Sequence, residues 1–378
     1  MTSILIFGLL VALLLTGTPV SIALGLTVLT VLFTLTDVPL DAVALKLFTG
    51  MEKFEIMAVP FFILAGAFLT HGGVAKRMIR FATAMTGHWA GGLGISSVLA
   101  CAIFAAVSGS SPATVIAIGS ILVPAMVAQG HPPRFGAGVI ASSGTLGILI
   151  PPSIVMVLYA LATAGMNAKG PNGERVSAAS VDDLFMAGVV PGLLLAILLG
   201  SVTWWIAKKE DYPRAMRATW SEAFDALVDC IWGLALIAVV LGGIYGGFVT
   251  PTEAAALSAI YAFFVAKFIY RDIGWDDVPK VLLSAANMSA MLLYIITNAM
   301  LFSFLLTYEQ IPQTIAEWIV AQGFNWITFL IVVNILLLVA GTFMEPASII
   351  LIMAPILFPV AAKLGIDPVH FGIIMVVN

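Results

Sequence analysis

Seven stretches of this chain, 20–36, 55–70, 135–165, 184–206, 226–246, 251–270 and 283–307, are apolar over a length at or near that of a bilayer crossing. A helix rises about 1.5 Å per residue, so about 20 apolar residues span a hydrocarbon core roughly 30 Å thick. Lipid is then the solvent for most of the chain. Backbone N–H and C=O groups at that depth must be satisfied inside the fold, and uninterrupted runs of this length do so as helices. The composition agrees: 61% of the 378 residues are hydrophobic and only 10% are charged, where a soluble domain carries about a quarter. A soluble globular protein, a disordered chain, a collagen and a disulfide scaffold are excluded. The net charge of -4, from 16 basic and 20 acidic residues without a basic patch, excludes nucleic-acid binding.

Other apolar runs are broken by proline and small polar residues. The run 4–15 stops at Thr16-Gly17-Thr18-Pro19, the run 93–128 is cut by Ser108-Gly109-Ser110-Ser111-Pro112, and the run 326–361 is cut by Gly341-Thr342-Phe343-Met344-Glu345-Pro346. The arms of the last two, each about 15 residues or about 22 Å, are short for a crossing and are expected to form re-entrant helical hairpins. Non-helical backbone at membrane depth is tolerated only where protein buries it or a wet cavity meets it. Each break is therefore a candidate binding site, unless neighbouring helices simply relieve a kink.

The breaks repeat. Thr18-Pro19 recurs as Thr250-Pro251, Phe68-Leu69-Thr70 as Leu305-Leu306-Thr307, Pro112-Ala113 as Pro346-Ala347, Pro124 as Pro359 and Phe135-Gly136 as Phe371-Gly372. The offsets, 232, 237, 234, 235 and 236 residues, keep one register through the chain, which is the mark of an internal duplication. Lys76, Arg77 and Arg80 follow the third span, whereas the matching stretch after Thr307 carries Glu309 and Glu317 and no base; Lys208, Lys209, Arg214 and Arg217 mark the join. With basic residues cytoplasmic and five crossings plus a hairpin per half, the second half is inverted. The expected organisation is an all-α polytopic membrane protein: a first inverted repeat over 1–206, a cytoplasmic connector over 207–225 and a second repeat over 226–378. The N-terminus is placed outside, the Ser108 hairpin opens from the cytoplasm and the Met344 hairpin from the outside. The register also leaves the counterpart of Gly144 to Trp205 absent, and the lack of Lys or Arg before Lys46 argues that the first apolar run is retained membrane structure rather than a secretory signal.

Discontinuous helices in inverted repeats are how many secondary transporters hold anions at helix N-termini and cations on freed carbonyls. Ser111 before Pro112 reads as an N-cap with proline at the first helical position, leaving amides free to hold a carboxylate. The Ser108 and Ser111 hydroxyls and the carbonyls of the 144–152 segment supply oxygen donors for a hard cation, and without a His or Cys cluster sodium fits better than a transition metal. In the second half, 246–251 and 341–344 offer a parallel set. Glu253 stands at capping-box spacing from Thr250, leaving open a cap or a proton or cation role; Glu345 at the hairpin tip is either a functional intramembrane carboxylate or solvated at an open mouth. Cys101 and Cys230 read as small core residues, the four histidines have no ligand spacing, and Trp89, Trp204, Trp205, Trp220, Trp275 and Trp318 read as interfacial anchors. The segment 167–183 is the one long polar loop and is expected to face outward.

At Ser-Gly-Ser-Ser-Pro-Ala-Thr (108–114), Gly-Ile-Leu-Ile-Pro-Pro-Ser (147–153), Tyr-Gly-Gly-Phe-Val-Thr-Pro-Thr-Glu-Ala (245–254) and Met-Glu-Pro (344–346), essentially the whole chain resembles the large membrane subunit of TRAP transporters, the DctM-like family. The resemblance implies an elevator-type, sodium-driven importer of organic acids in the bacterial inner membrane. It also implies a small four-helix membrane subunit, not fused to this chain, and a periplasmic binding protein as partners. It places one sodium on Ser108, Ser111, Gly147, Ile150 and Pro152, and a second near Gly247, Thr250, Gly341 and Met344. Ser110, Thr145, Thr342, Glu345 and Pro346 are left to contact a carboxylate substrate such as a C4-dicarboxylate or sialic acid. Three other readings stand beside it. A self-sufficient sodium-coupled anion carrier of similar architecture would need no binding protein. An intramembrane serine hydrolase needs a base within reach, and the hairpin sequences offer no His or Lys. A passive channel would be expected to show pore-lining rings.

Overall fold

The structure, a computed structural model, describes residues 2–36, 38–166, 168–342 and 344–378. Phe343, inside the second predicted break, and Asn167, at the start of the polar loop, lie outside the described residues. Among those residues seven helices are long and apolar enough to cross a membrane: Phe54–His71, Ser111–Ala128, Val181–Lys209, Trp220–Tyr245, Pro251–Ile269, Val278–Tyr308 and Pro346–Lys363. An eighth crossing arises if Pro133–Leu149 and Ile154–Thr163, bent by 47° at their break, are one span. The chain is thus an all-helical, multi-pass membrane protein. The polar loop carries a small antiparallel pairing of Ala168–Lys169 with Arg175–Val176.

The predicted spans 55–70, 184–206, 226–246, 251–270 and 283–307 each fall on one of these elements, and 135–165 is the bent pair. The 20–36 run forms Val20–Leu35, 16 residues. The hairpin arms are longer than the sequence suggested: Gly92–Ser108 and Ser111–Ala128 have 17 and 18 residues, Trp326–Gly341 and Pro346–Lys363 have 16 and 18. An 18-residue arm is about 27 Å long, so length alone does not make either pair a re-entrant hairpin; within each pair the two arms pack on one another across the break. The second arms run through Pro124, Pro355 and Pro359 without ending, as membrane helices can when neighbours re-satisfy the freed carbonyls.

Helix starts follow local chemistry. Thr219 and Thr250 each form a reciprocal capping box with the glutamate three residues on, Glu222 and Glu253. Asn325 accepts from the Thr328 amide, and Asp367 accepts from the amides of Val369 and His370. These caps satisfy first-turn donors that helix geometry leaves free.

The chain divides into two compact units. One comprises 57–154 and 185–287. Its centre is Ala58–His71 packed along Pro251–Phe264, with Phe62, Phe68, Phe104, Cys101, Ala255 and Ala262 buried. The connector 210–219, shorter than the 207–225 expected, donates the Ala215 amide to the Gly87 carbonyl at 3.0 Å. At the same end Arg77 pairs with Asp272 at 2.5 Å and Arg80 pairs with Asp229. In the loop after Ala128, His131 is buried against Phe135 and Tyr212, and burial lowers its pKa.

The other unit comprises 1–56, 155–184 and 288–378. Its core is Pro346–Lys363, packed against Ile311–Ala321 and Pro368–Val377. The Tyr159 hydroxyl donates to the Pro368 carbonyl at 3.0 Å, and a methyl at Gly372 would sit 2.6 Å from the Tyr159 ring, so glycine lets that ring approach the last helix closely.

Candidate functional site

The first hairpin turns because Gly109 adopts the left-handed conformation, φ 62°, at the end of its first arm. Ser110 is then extended and is the N-cap of the second arm. The sequence reading put the cap on Ser111; the structure moves it one residue back, because proline is accepted at either of the first two helical positions and Ser-Ser-Pro offers two caps. The Ser110 side chain makes no capping bond. Its carbonyl accepts from the amide and the hydroxyl of Thr114 at 3.1 and 2.9 Å. The Thr114 hydroxyl also lies 3.0 Å from Ser108 Oγ. Ser108 is 2% exposed and Thr114 0%, so two hydroxyls and a carbonyl converge inside the tip.

The bent span meets this tip through backbone. The Ile154 amide donates to the Gly109 carbonyl at 3.2 Å, and a methyl on Gly109 would stand 2.5 Å from the Pro152 carbonyl oxygen. A methyl on Gly147 would stand 2.7 Å from the Ser110 carbonyl oxygen and 2.9 Å from the Ser111 nitrogen. Helix Ala58–His71 closes the third side, with Gly66 against Ser108. Helical order lapses between Leu149 and Ile154, where Ile150 is extended and the Pro151–Pro152 bond is cis. Ser108, Ser111, Gly147, Ile150 and Pro152 therefore share one unit, and the tip lies directly on Gly147 and Pro152. Oxygen donors with no charge of their own, packed at a double helix break, suit a hard monovalent cation. Thr145, expected at the substrate, is exposed and spends its hydroxyl on the Ser142 carbonyl at 2.7 Å. Thr114, Gly109 and Gly66 were given no role in the sequence reading. Thr114 could have been found from its place one turn after Ser110 on the same face.

The residues named for a second cation divide between units. Gly247, left-handed at φ 69°, and Thr250 belong with 57–154 and 185–287. Thr250 Oγ1 and the Glu253 carboxylate are joined at 2.8 Å in the capping box, so the cap that the spacing allowed is present. Gly341 and Met344 belong to the other unit. There Thr342 is exposed and donates to the Val339 carbonyl at 2.7 Å. Glu345 is the exposed N-cap residue of the arm that begins at Pro346, and it accepts from the buried Ser348 hydroxyl at 3.3 Å rather than from first-turn amides.

Residues 7–378 match the family described as Tripartite ATP-independent periplasmic transporter, DctM component. The chain is 69% identical, over all of its length and 86% of the relative's, to the C4-dicarboxylate TRAP transporter large permease protein DctM of Rhodobacter capsulatus. Its identity to the protein of that description from Pseudomonas aeruginosa is 54%, over 89% of this chain and 76% of the relative. The sialic acid TRAP transporter large permease protein SiaM of Vibrio cholerae is 33% identical over 99% and 84% of the two chains. Among solved structures the fold is similar to MtrF of Neisseria gonorrhoeae (TM-score 0.59, 16% identity, 89% of this chain and 73% of that one) and to the YdaH transporter of Alcanivorax borkumensis (TM-score 0.56, 17% identity, 89% and 77%).

Proposed function

The chain belongs to the DctM component family of tripartite ATP-independent periplasmic transporters, and we propose that it is the large permease subunit of a sodium-coupled importer of C4-dicarboxylates. The observation that carries the cation coupling is the contact of the Ser108–Ser111 tip with the Gly147–Pro152 break, where hydroxyls and carbonyls meet without a basic side chain. The substrate class follows from the relatives of 69% and 54% identity, whose names specify C4-dicarboxylates. A small membrane subunit and a periplasmic binding protein complete the machine in the cytoplasmic membrane, and the chain, built from two inverted repeats, works by an elevator motion against a rigid scaffold.

The duplication reading is supported by helix starts at 74, 92, 111 and 133, which recur at 311, 326, 346 and 368. Inversion is supported by charge, because Arg77 and Arg80 lie on the helix whose C-cap Gly87 accepts from the 210–219 connector, which bears Arg214 and Arg217 and directly follows Lys208 and Lys209. Single cysteines at Lys76 and Glu317, in a background lacking Cys101 and Cys230, are expected to react with an impermeant thiol reagent from opposite sides of the membrane. Reaction from the same side would end the inverted-repeat reading.

The transport reading is tested in vesicles holding the full-length permease and its small subunit. With an inward sodium gradient, succinate bound to its binding protein should accumulate, and omitting sodium, the small subunit or the binding protein should each abolish uptake. Undiminished uptake without the binding protein would favour the self-sufficient carrier.

A further inference from the structure

A polar cavity lies within the unit formed by 1–56, 155–184 and 288–378. It has a volume of about 430 Å³, in the range of small-molecule sites. Lys46, Thr49, Lys53, Ser303, Thr307 and Gln313 give it a polar lining. Lys46 lies within the helix Leu40–Met51 and Lys53 just past its C-cap residue Glu52, and both line the cavity. Two flexible ammonium groups thus reach into one space.

Neither has a carboxylate within ion-pairing distance among the described residues. Lys53 Nζ is 3.5 Å from the carbonyls of Leu161 and Ala164, the outer edge of hydrogen bonding for a group with three donors. Lys46 Nζ stands 5.6 Å from the centre of the Phe304 ring. Burial holds the Lys53 pKa below its ordinary value, Glu55 acts in the opposite sense and Lys46 lowers it further. The two cations are therefore close enough to repel. Like charges gathered in a partly buried cavity without a counter-charge are unfavourable, and a dianion bound between them would reverse the sign of that interaction.

We propose that this cavity is an approach site for the dicarboxylate, in which Lys46 and Lys53 each take one carboxylate and the Ser303 hydroxyl and Gln313 amide donate to the remaining lone pairs. The proposal rests on the transport reading above for its ligand class and for its side of the membrane: counting from the cytoplasmic connector, 40–53, 164–180 and 308–313 all face outward, where substrate arrives. Two ammonium groups match a dianion and leave a monocarboxylate half-paired. The site therefore selects for diacids before any hairpin moves.

The test uses the full-length chain in nanodiscs of zwitterionic lipid, so that no anionic headgroup competes, with acetylation of lysines followed by mass spectrometry. At succinate tenfold above its dissociation constant, mass action leaves about a tenth of the sites free, so Lys46 and Lys53 should be acetylated about tenfold more slowly. Lys169, exposed in the outer loop, should be unaffected, and propionate at the same concentration should protect far less. In the complete transporter K46Q/K53Q should raise the half-saturating succinate concentration about tenfold, the equivalent of about 1.4 kcal/mol, with unchanged sodium dependence, and K46R/K53R should recover most of it. Transport of succinate without protection of the two lysines overturns this site and leaves the transport reading intact. Protection in a chain that transports no succinate in its complete assembly overturns the transport reading and leaves the site. Equal protection of Lys169 reduces the effect to ionic screening and overturns the site.

Discussion

Gly147→Ala is expected to lower sodium-driven uptake by more than about tenfold while the protein still inserts and purifies as a monodisperse species. The added methyl would lie 2.7 Å from the Ser110 carbonyl oxygen, 2.8 Å from its carbonyl carbon and 2.9 Å from the Ser111 nitrogen, where ordinary van der Waals contact begins near 3.4 Å. All three atoms are backbone, so no rotamer change relieves the clash, and the tip must move off the break. Overpacking of this kind costs about 1–3 kcal/mol, roughly 5- to 150-fold in an equilibrium constant. Here the cost falls on the carbonyls that would face the cation. Gly138→Ala is the matched control: it lies in the same bent span with nothing within 4 Å of the added methyl, and its uptake should equal that of the unaltered chain. Equal uptake by Gly147→Ala would mean that the tip and the break do not pack together during transport.

That contact marks how far the sequence carries. The breaks themselves were legible, because Gly109 and Pro112 in one hairpin and Pro346 in the other interrupt apolar runs that otherwise propagate as helix. So was the cap at Thr250, since Glu253 three residues on is a signal internal to one turn. The register of the cap at Ser110 was not, because two serines precede the proline. Arm lengths were underestimated by a few residues, since the helices run into the breaks as far as Ser108, Ser111 and Gly341 and the last arm continues to Lys363. The bond from the Ile154 amide to the Gly109 carbonyl joins residues 45 apart in sequence, and no periodicity encodes such a pairing. The cavity at Lys46 and Lys53 was invisible for the same reason: its walls come from four separate segments, and each lysine alone reads as a solvated base. Grouping Gly247 and Thr250 with Gly341 and Met344 rested on the parallel with the breaks of the first half and on the resemblance, and the two pairs belong to separate units.

Replacing Thr114 by valine should raise the sodium concentration for half-maximal uptake by about tenfold, with the rate at saturating sodium retained. Valine keeps the shape of threonine and removes one hydroxyl, and Thr114 is fully buried, so the change reads the oxygen rather than the packing. The Thr114 hydroxyl gives its proton to the Ser110 carbonyl at 2.9 Å, which turns its lone pairs toward Ser108 Oγ at 3.0 Å. Without it, Ser108 keeps only a contact of 3.5 Å to the Ser110 carbonyl, too long to fix its orientation. A buried hydrogen bond of this kind contributes about 1 kcal/mol, and more when its loss leaves a polar group unsatisfied, which sets the expected shift near tenfold. Ser108→Ala should give a similar shift, and the double variant little more than either, because the two hydroxyls act as one unit and their effects do not add. Ser111→Ala should shift sodium dependence less, since Ser111 stands within the second arm's first turn, outside the hydroxyl pair. An unchanged sodium curve in Thr114→Val would remove the hydroxyl pair from the coupling site, and a full additive shift in the double variant would separate Ser108 from Thr114 as independent ligands.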